Sequence, residues 1–368
     1  MKTYLNMTRR SALGVVAAGI AGVLVSAPAS ADVSFAGKTI EWIVPFSPGG
    51  GSGTMAAFMA PFLTKYLPGN PTVTLVYEPG GGSIKGSNMF AAVAKPDGLT
   101  ILVTSGSTQF PYLLGDPRVR YEYADWHIAM AGPTGGVVYT SPSTGVTSPD
   151  DIGKLVGQKL VYASQGATSL DLVPLMGFRL MGLDVQHVFG FKGRADGRLA
   201  FERGETNIDY QTSSAYLKNV QPLVAEGKAI PLFSWGVLDE DGNPIRDPNF
   251  PDIPHFAEAY EKLTGKTPSG PEYDAYFAFF TAGFPAQKMV FLPKGTPQEI
   301  VDAYQAAFEA MKDDPEFQAN AASAVGEYGH VTGKAADALF EKGTVIAPEL
   351  RKQVVDMLTS EYGVKLGE

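Results

Sequence analysis

The pentapeptide Pro-Gly-Gly-Gly-Ser occurs twice, at 48–52 and at 79–83, and each copy follows a run of β-branched and aromatic residues. The first run is Thr39 to Phe46 and the second Thr72 to Tyr77. Helical patterns follow each copy, over 55–66, where Pro61 predicts a kink, and over 88–94. A third strand-like run, Leu99 to Thr104, ends in Ser105-Gly106-Ser107-Thr108. Strand, helix, strand, helix, strand with connections this short predicts a right-handed parallel βαβαβ unit. All three polar loops then fall at the carboxyl ends of the strands, the edge where open α/β sheets bind ligands.

The loop composition suits an anion. Glycine permits positive φ and lets a ligand approach the amides with no Cβ in the way. Each loop leads into a helix, whose first N–H groups lack partners and carry the positive end of the dipole. Two such loops side by side predict an anion site built from amides, with Ser105, Ser107 and Thr108 as further donors. Other uses of glycine-rich loops do not match. Thr54 rather than lysine follows Gly53, which excludes a Walker loop, and Gly49 to Thr54 does not complete GxGxxG. The spacing is not that of a nucleophile elbow either.

Composition narrows the remaining choices. The chain has no cysteine, so disulfides, thiol nucleophiles and cysteine-ligated metals are excluded. Its four histidines are scattered, and Asp239, Asp241 and Asn243 resemble a calcium loop only until Pro244, where glycine is needed. A net charge of −9 argues against nucleic acid. No cofactor or metal is expected.

Residues 1–31 read as a cleaved export signal: Lys2, Arg9 and Arg10, an apolar run over 12–25, then Ala29-Ser30-Ala31. Thr8 to Leu13 is similar to a twin-arginine signal, so export by either the Sec or the twin-arginine route is expected. Removal of this segment takes the net charge from −9 to −12. From about Ala131 a second α/β unit begins, with strands near 137–139, 159–163, 187–191, 207–210 and 230–233 and a helix over 170–181. The segments 297–311 and 334–358 read as amphipathic helices.

Five segments occur in an order that resembles one family: Ile43 to Gly51, Glu78 to Gly82, Lys95 to Ile101, Val161 to Ser164, and Phe291 to Pro297. Together they resemble the Bug-type solute-binding proteins of tripartite tricarboxylate transporters. The resemblance implies an α/β, two-lobed periplasmic binding protein (a Venus flytrap), each lobe a sheet flanked by helices. It divides the chain into a signal peptide at 1–31, a first lobe of 32–131 plus 234–368, and a second lobe of 132–233. A monomeric, non-catalytic receptor in the periplasm is implied, one that passes a small organic carboxylate to membrane permease subunits.

Carried over, the ligand loops include Phe46, Ser47, Gly49, Gly50, Gly51, Ser52 and Thr54, then Gly80, Gly81, Gly82 and Ser83. The second lobe contributes Ser164, Thr168, Ser169 and Asp209. Three departures bear on the ligand: Tyr77-Glu78 before the second loop, Gln211-Thr212-Ser213 after Asp209, and an aromatic insertion over 272–287. Lys85 reads as a solvated lysine, and Tyr273, Tyr276 and Phe277 as core. An exported enzyme using the glycine loops as an oxyanion or phosphate site, and a receptor feeding a sensor kinase, are the alternatives.

Overall fold

The computed structural model describes residues 33–239 and 241–366. The export signal expected over 1–31 lies outside the described residues. In chain order, β1 (Thr39–Val44), α1 (Gly51–Tyr66), β2 (Thr72–Tyr77), α2 (Ile84–Val93), β3 (Thr100–Thr104), α3 (Gly106–Leu114) and β4 (His127–Gly132) form the first unit. The strands β1, β2 and β3 are parallel, with Thr39 opposite Thr72 and Glu41 opposite Thr100, as the βαβαβ reading expects.

Two local differences have physical causes. α1 begins at Gly51 rather than 55, because the glycine loop itself supplies the first turn and apolar periodicity starts only at Met55. α1 also runs through Pro61 to Tyr66. The carbonyl that loses its partner belongs to Ala57, which is exposed and open to water.

The chain continues with β5 (Gly136–Thr140), β6 (Leu160–Ser164), α4 (Leu172–Leu180), β7 (Val185–Phe189), α5 (Arg194–Glu202) and β8 (Ile208–Thr212). Two short helices, α6 (Ser213–Ala215) and α7 (Gln221–Ala225), precede β9 (Ile230–Ser234) and a small hairpin, β10 (Val237–Leu238) and β11 (Pro244–Ile245). The strand order β8-β5-β9 is antiparallel throughout, while β6 and β7 form a separate parallel pair. Then come α8 (Phe256–Thr264), α9 (Pro271–Gly283), β12 (Lys288–Leu292), α10 (Gln298–Met311), α11 (Pro315–Val325), α12 (Gly333–Gly343) and α13 (Pro348–Tyr362). The expected helix over 334–358 is thus two, with Pro348 opening the second.

β12 joins the first sheet between β3 and β4, antiparallel to both, to give the order β2-β1-β3-β12-β4. Period-two alternation divides its core. Ile40, Trp42 and Val44 face α1 and α10, whereas Ile43, Leu102 and Phe291 pack with Phe90, Trp126 and Phe340 on the other face. A third core gathers Val138, Tyr210, Phe233 and Trp235 with Phe256, Phe279 and Leu358 from α8, α9 and α13. Tyr276 of the aromatic insertion is buried there, and Tyr273 and Phe277 pack against it from its margin. Full burial of such a side chain contributes about 1.5–3 kcal/mol. Among the described residues no helix is long and apolar enough to cross a membrane.

Candidate functional site

Because β12 is antiparallel to its neighbours, its first residue stands at the carboxyl ends of β3 and β4. Met289 pairs with Thr104, the last residue of β3, and Lys288 with Gly132, the last of β4. Lys288 is therefore delivered to the same edge as the glycine loops. Its side chain is buried, and its Nζ donates to Ser52 Oγ at 3.0 Å. Burial pushes its pKa down to about 7, with no neighbouring carboxylate to oppose the shift.

Lys288 lines a cavity of about 20 Å³. One wall is Phe46, Gly50, Gly51 and Ser52, together with Ser105, Ser107 and Gln287. The opposite wall is Gln165, Leu170, Arg194 and Thr212. Two helices start here. α1 opens at Gly50 with no side-chain cap, leaving its first amides to the cavity edge, and α3 opens at Ser105, whose hydroxyl accepts from Ser107 N at 3.1 Å. The positive ends of both dipoles thus converge near the ammonium.

Arg194 behaves differently from Lys288. Its guanidinium is stacked between the rings of Tyr162 and Tyr210, each centroid 4.8 Å away. Nη1 donates to Ala163 O at 2.6 Å and to Asp171 at 3.4 Å. Nη2 donates to Asp209 and to Tyr210 O, and Nε to Tyr210 O at 3.3 Å. All five N–H groups are engaged within the second unit. The two glutamines that line the cavity each keep one buried polar atom without a partner, Gln165 Nε2 and Gln287 Oε1.

Of the residues expected from sequence, Phe46, Gly50, Gly51, Ser52, Ser105 and Ser107 line this cavity. The others do not line it, and most of their polar side chains are engaged elsewhere, the buried Thr54 hydroxyl excepted. Ser47 Oγ donates to Asp196 at 2.6 Å, and Gly49 O accepts from Asn219. Thr54 is buried inside α1. Gly80, Gly81, Gly82 and Ser83 form a run of four positive φ angles, 136°, 60°, 66° and 90°, with Ser83 Oγ 2.9 Å from Thr108 Oγ1. A Cβ at Gly82 would lie 3.1 Å from Ser169 Cβ, so this second loop abuts the opposite unit beside the cavity.

Ser164 accepts from Gly166 N, Ser169 donates to Gly166 O, and Thr168 donates to Asp116 at 2.8 Å. Asp209 is fully buried against Arg194, Tyr139 and Gln211. Lys85 is exposed and pairs with Glu78 at 2.9 Å.

Lys288, Gln287, Arg194 and Gln165 escape the sequence reading, and Thr212 figures there only as a departure. One signal was available: Lys288 is the sole charge heading an otherwise apolar strand, Met289 to Leu292. The segments on either side of the cavity approach closely at this edge. Ser214 Oγ donates to Gly51 O at 3.1 Å, and Leu170 N donates to Ser107 Oγ at 3.0 Å. A larger cavity of about 640 Å³ lies near Pro133, Gly236, Phe284 and Leu339. Its lining is mostly apolar and holds no helix N-terminus with free amides, so the smaller cavity is the better candidate.

No family model matches the chain. The protein BugT of Bordetella pertussis is 27% identical over 263 residues, covering 69% of this chain and 74% of the relative. The structure of the periplasmic binding protein BugD is similar with a TM-score of 0.65 at 19% identity, over 89% of this chain and 98% of that one. MatC from Rhodopseudomonas palustris with bound malate has a TM-score of 0.63 at 19% identity, over 86% and 98%. These likenesses identify the fold as that of two-lobed periplasmic binding proteins.

Proposed function

We propose that this chain, similar in sequence to BugT and in fold to BugD, is a Bug-type solute-binding protein of a tripartite tricarboxylate transporter, a non-catalytic periplasmic receptor for a small organic carboxylate. The observation that carries this reading is the buried Lys288 ammonium, unpaired with any described carboxylate, beside the N-termini of α1 and α3. A ligand carboxylate supplies the missing counter-charge, and charge-assisted hydrogen bonds of about 1.5–3 kcal/mol each reward it. The bound malate of MatC supports the same class of ligand. Delivery to the large and small subunits of a membrane permease follows from the family.

The lobes proposed are 32–131 plus 234–368 and 132–233, after removal of the signal at 1–31. The glycine and Ser/Thr loops named above grip the ligand between them. A cavity of about 20 Å³ holds little more than a water, so the lobes part to admit ligand and close over it. A melting-temperature screen of mono-, di- and tricarboxylates tests the reading. A ligand at 100 times its Kd adds about 2.7 kcal/mol of apparent stability. No response to any carboxylate at millimolar concentration would overturn it.

A further inference from the structure

We propose that the ligand carries a single negative charge: a small hydroxy-monocarboxylate, its carboxylate on Lys288 and its hydroxyl between Gln165 and Gln287. The proposal deepens the carboxylate-receptor reading and rests on it.

Two cations line that cavity, and only one has anything left to offer. Lys288 carries three N–H donors, of which Ser52 Oγ takes one. Two remain for a carboxylate. Arg194 has spent all five donors on Ala163 O, Tyr210 O, Asp171 and Asp209. Two carboxylates already face this one guanidinium, so it has no positive charge to spare. No aspartate or glutamate lines the cavity itself. The first carboxylate therefore neutralises Lys288. A second would be buried against a wall whose cation is already covered, which is a strongly unfavourable place for an unpaired ion.

The far end of the ligand meets neutral groups instead. Gln165 Nε2 offers a donor, and Gln287 Oε1 needs one. A carboxylate only accepts, so it cannot satisfy Gln287, whereas a hydroxyl does both at once.

The titratable groups near Lys288 permit a second readout. Arg194 faces it across the cavity. Tyr328 and His330 line the small cavity behind it, and neither cavity contains a carboxylate. A bound carboxylate raises the pKa of the ammonium, so binding takes up a proton above neutral pH.

Calorimetry with propionate, lactate, glycerate, succinate, malate and citrate, at pH 6 to 9.5, tests the proposal on the wild type and on Lys288→Gln. Lactate or glycerate is expected to bind at least tenfold more tightly than propionate, succinate, malate or citrate. Its affinity should fall with rising pH above about 7.5, approaching tenfold per unit, with proton uptake visible as a dependence on buffer ionisation. Lys288→Gln should fold, lose at least 30-fold in affinity and lose the pH dependence. Malate or succinate binding as tightly as lactate and glycerate would overturn the single-charge proposal and leave the receptor reading standing. A flat pH profile in the wild type would remove Lys288 from the site. Binding of none of the six would sink both.

Discussion

A methyl group at Gly51 would fall 1.9 Å from Thr212 Oγ1 and 3.1 Å from Ser214 Oγ, so this glycine marks a close approach of α1 to the β8–α6 segment. At Gly50, by contrast, the nearest atoms to a new Cβ are 3.7 Å away, an ordinary contact. Gly51→Ala is expected to fold, since alanine is the better helix former by about 1 kcal/mol in a helix interior. It should nevertheless bind the cognate carboxylate at least tenfold more weakly, because the lobes stop short of closure. Gly50→Ala should bind like the wild type. Titration calorimetry of the pair decides the matter, and equal affinities would show that close approach at Gly51 is dispensable. The same comparison separates the two copies of the pentapeptide, which look equivalent as sequence. In the first copy, glycines line the cavity. In the second, four positive φ angles in succession, one of them at Ser83, shape a turn that abuts Ser169.

Elements were legible where periodicity is local. The three parallel strands with their glycine-rich exits, and most strands of the second unit, follow from period-two runs bounded by turn residues. The placement of β12 was not legible, because nothing local in Lys288 to Leu292 reports that it inserts between β3 and β4 in the reverse direction. Lys288 and Gln287 were lost to the site reading for that reason. Arg194 was missed because its neighbours Asp171, Asp209 and Tyr162 come from three separate segments. Asp209 reads from its motif as either a ligand-orienting or a structural acid, and in the structure it meets the Arg194 guanidinium. Helix α13 illustrates long-range docking on the structural side. Val354 and Leu358 are buried in the core built around β5, β8 and β9, and Arg179 of α4 donates to Glu361 at 2.9 Å. Leu358→Ala is expected to destabilise the protein by about 2–5 kcal/mol, the usual cost of emptying a core leucine site. Urea denaturation measures it, and a loss under about 1 kcal/mol would mean that α13 only rests on the surface.

For the molecule as a whole, acid stability should follow its histidines. His187 is half-buried beside Tyr162 and Phe178, and burial holds its pKa down to about 4; burial also lowers His255 and His330. Between pH 6.5 and 4 the unfolded chain binds a proton at His187 that the folded chain refuses. Stability therefore falls as pH drops through that window, by up to about 1.4 kcal/mol per pH unit from His187, with His255 and His330 acting in the same direction. Melting curves at pH 7 and 4.5 should show the drop, and His187→Gln should reduce it; an unchanged drop would exclude His187 as a contributor. The reversed strand β12 also has a consequence for the order of folding. The sheet's two halves, β2-β1-β3 and β4, touch only through a strand that enters the chain more than 150 residues after β4 begins. Contacts of such high sequence separation form late. If Lys288 grips the ligand as proposed, a chain that ends before β12 lacks the ammonium, and binding then doubles as a report that the last third of the chain is in place.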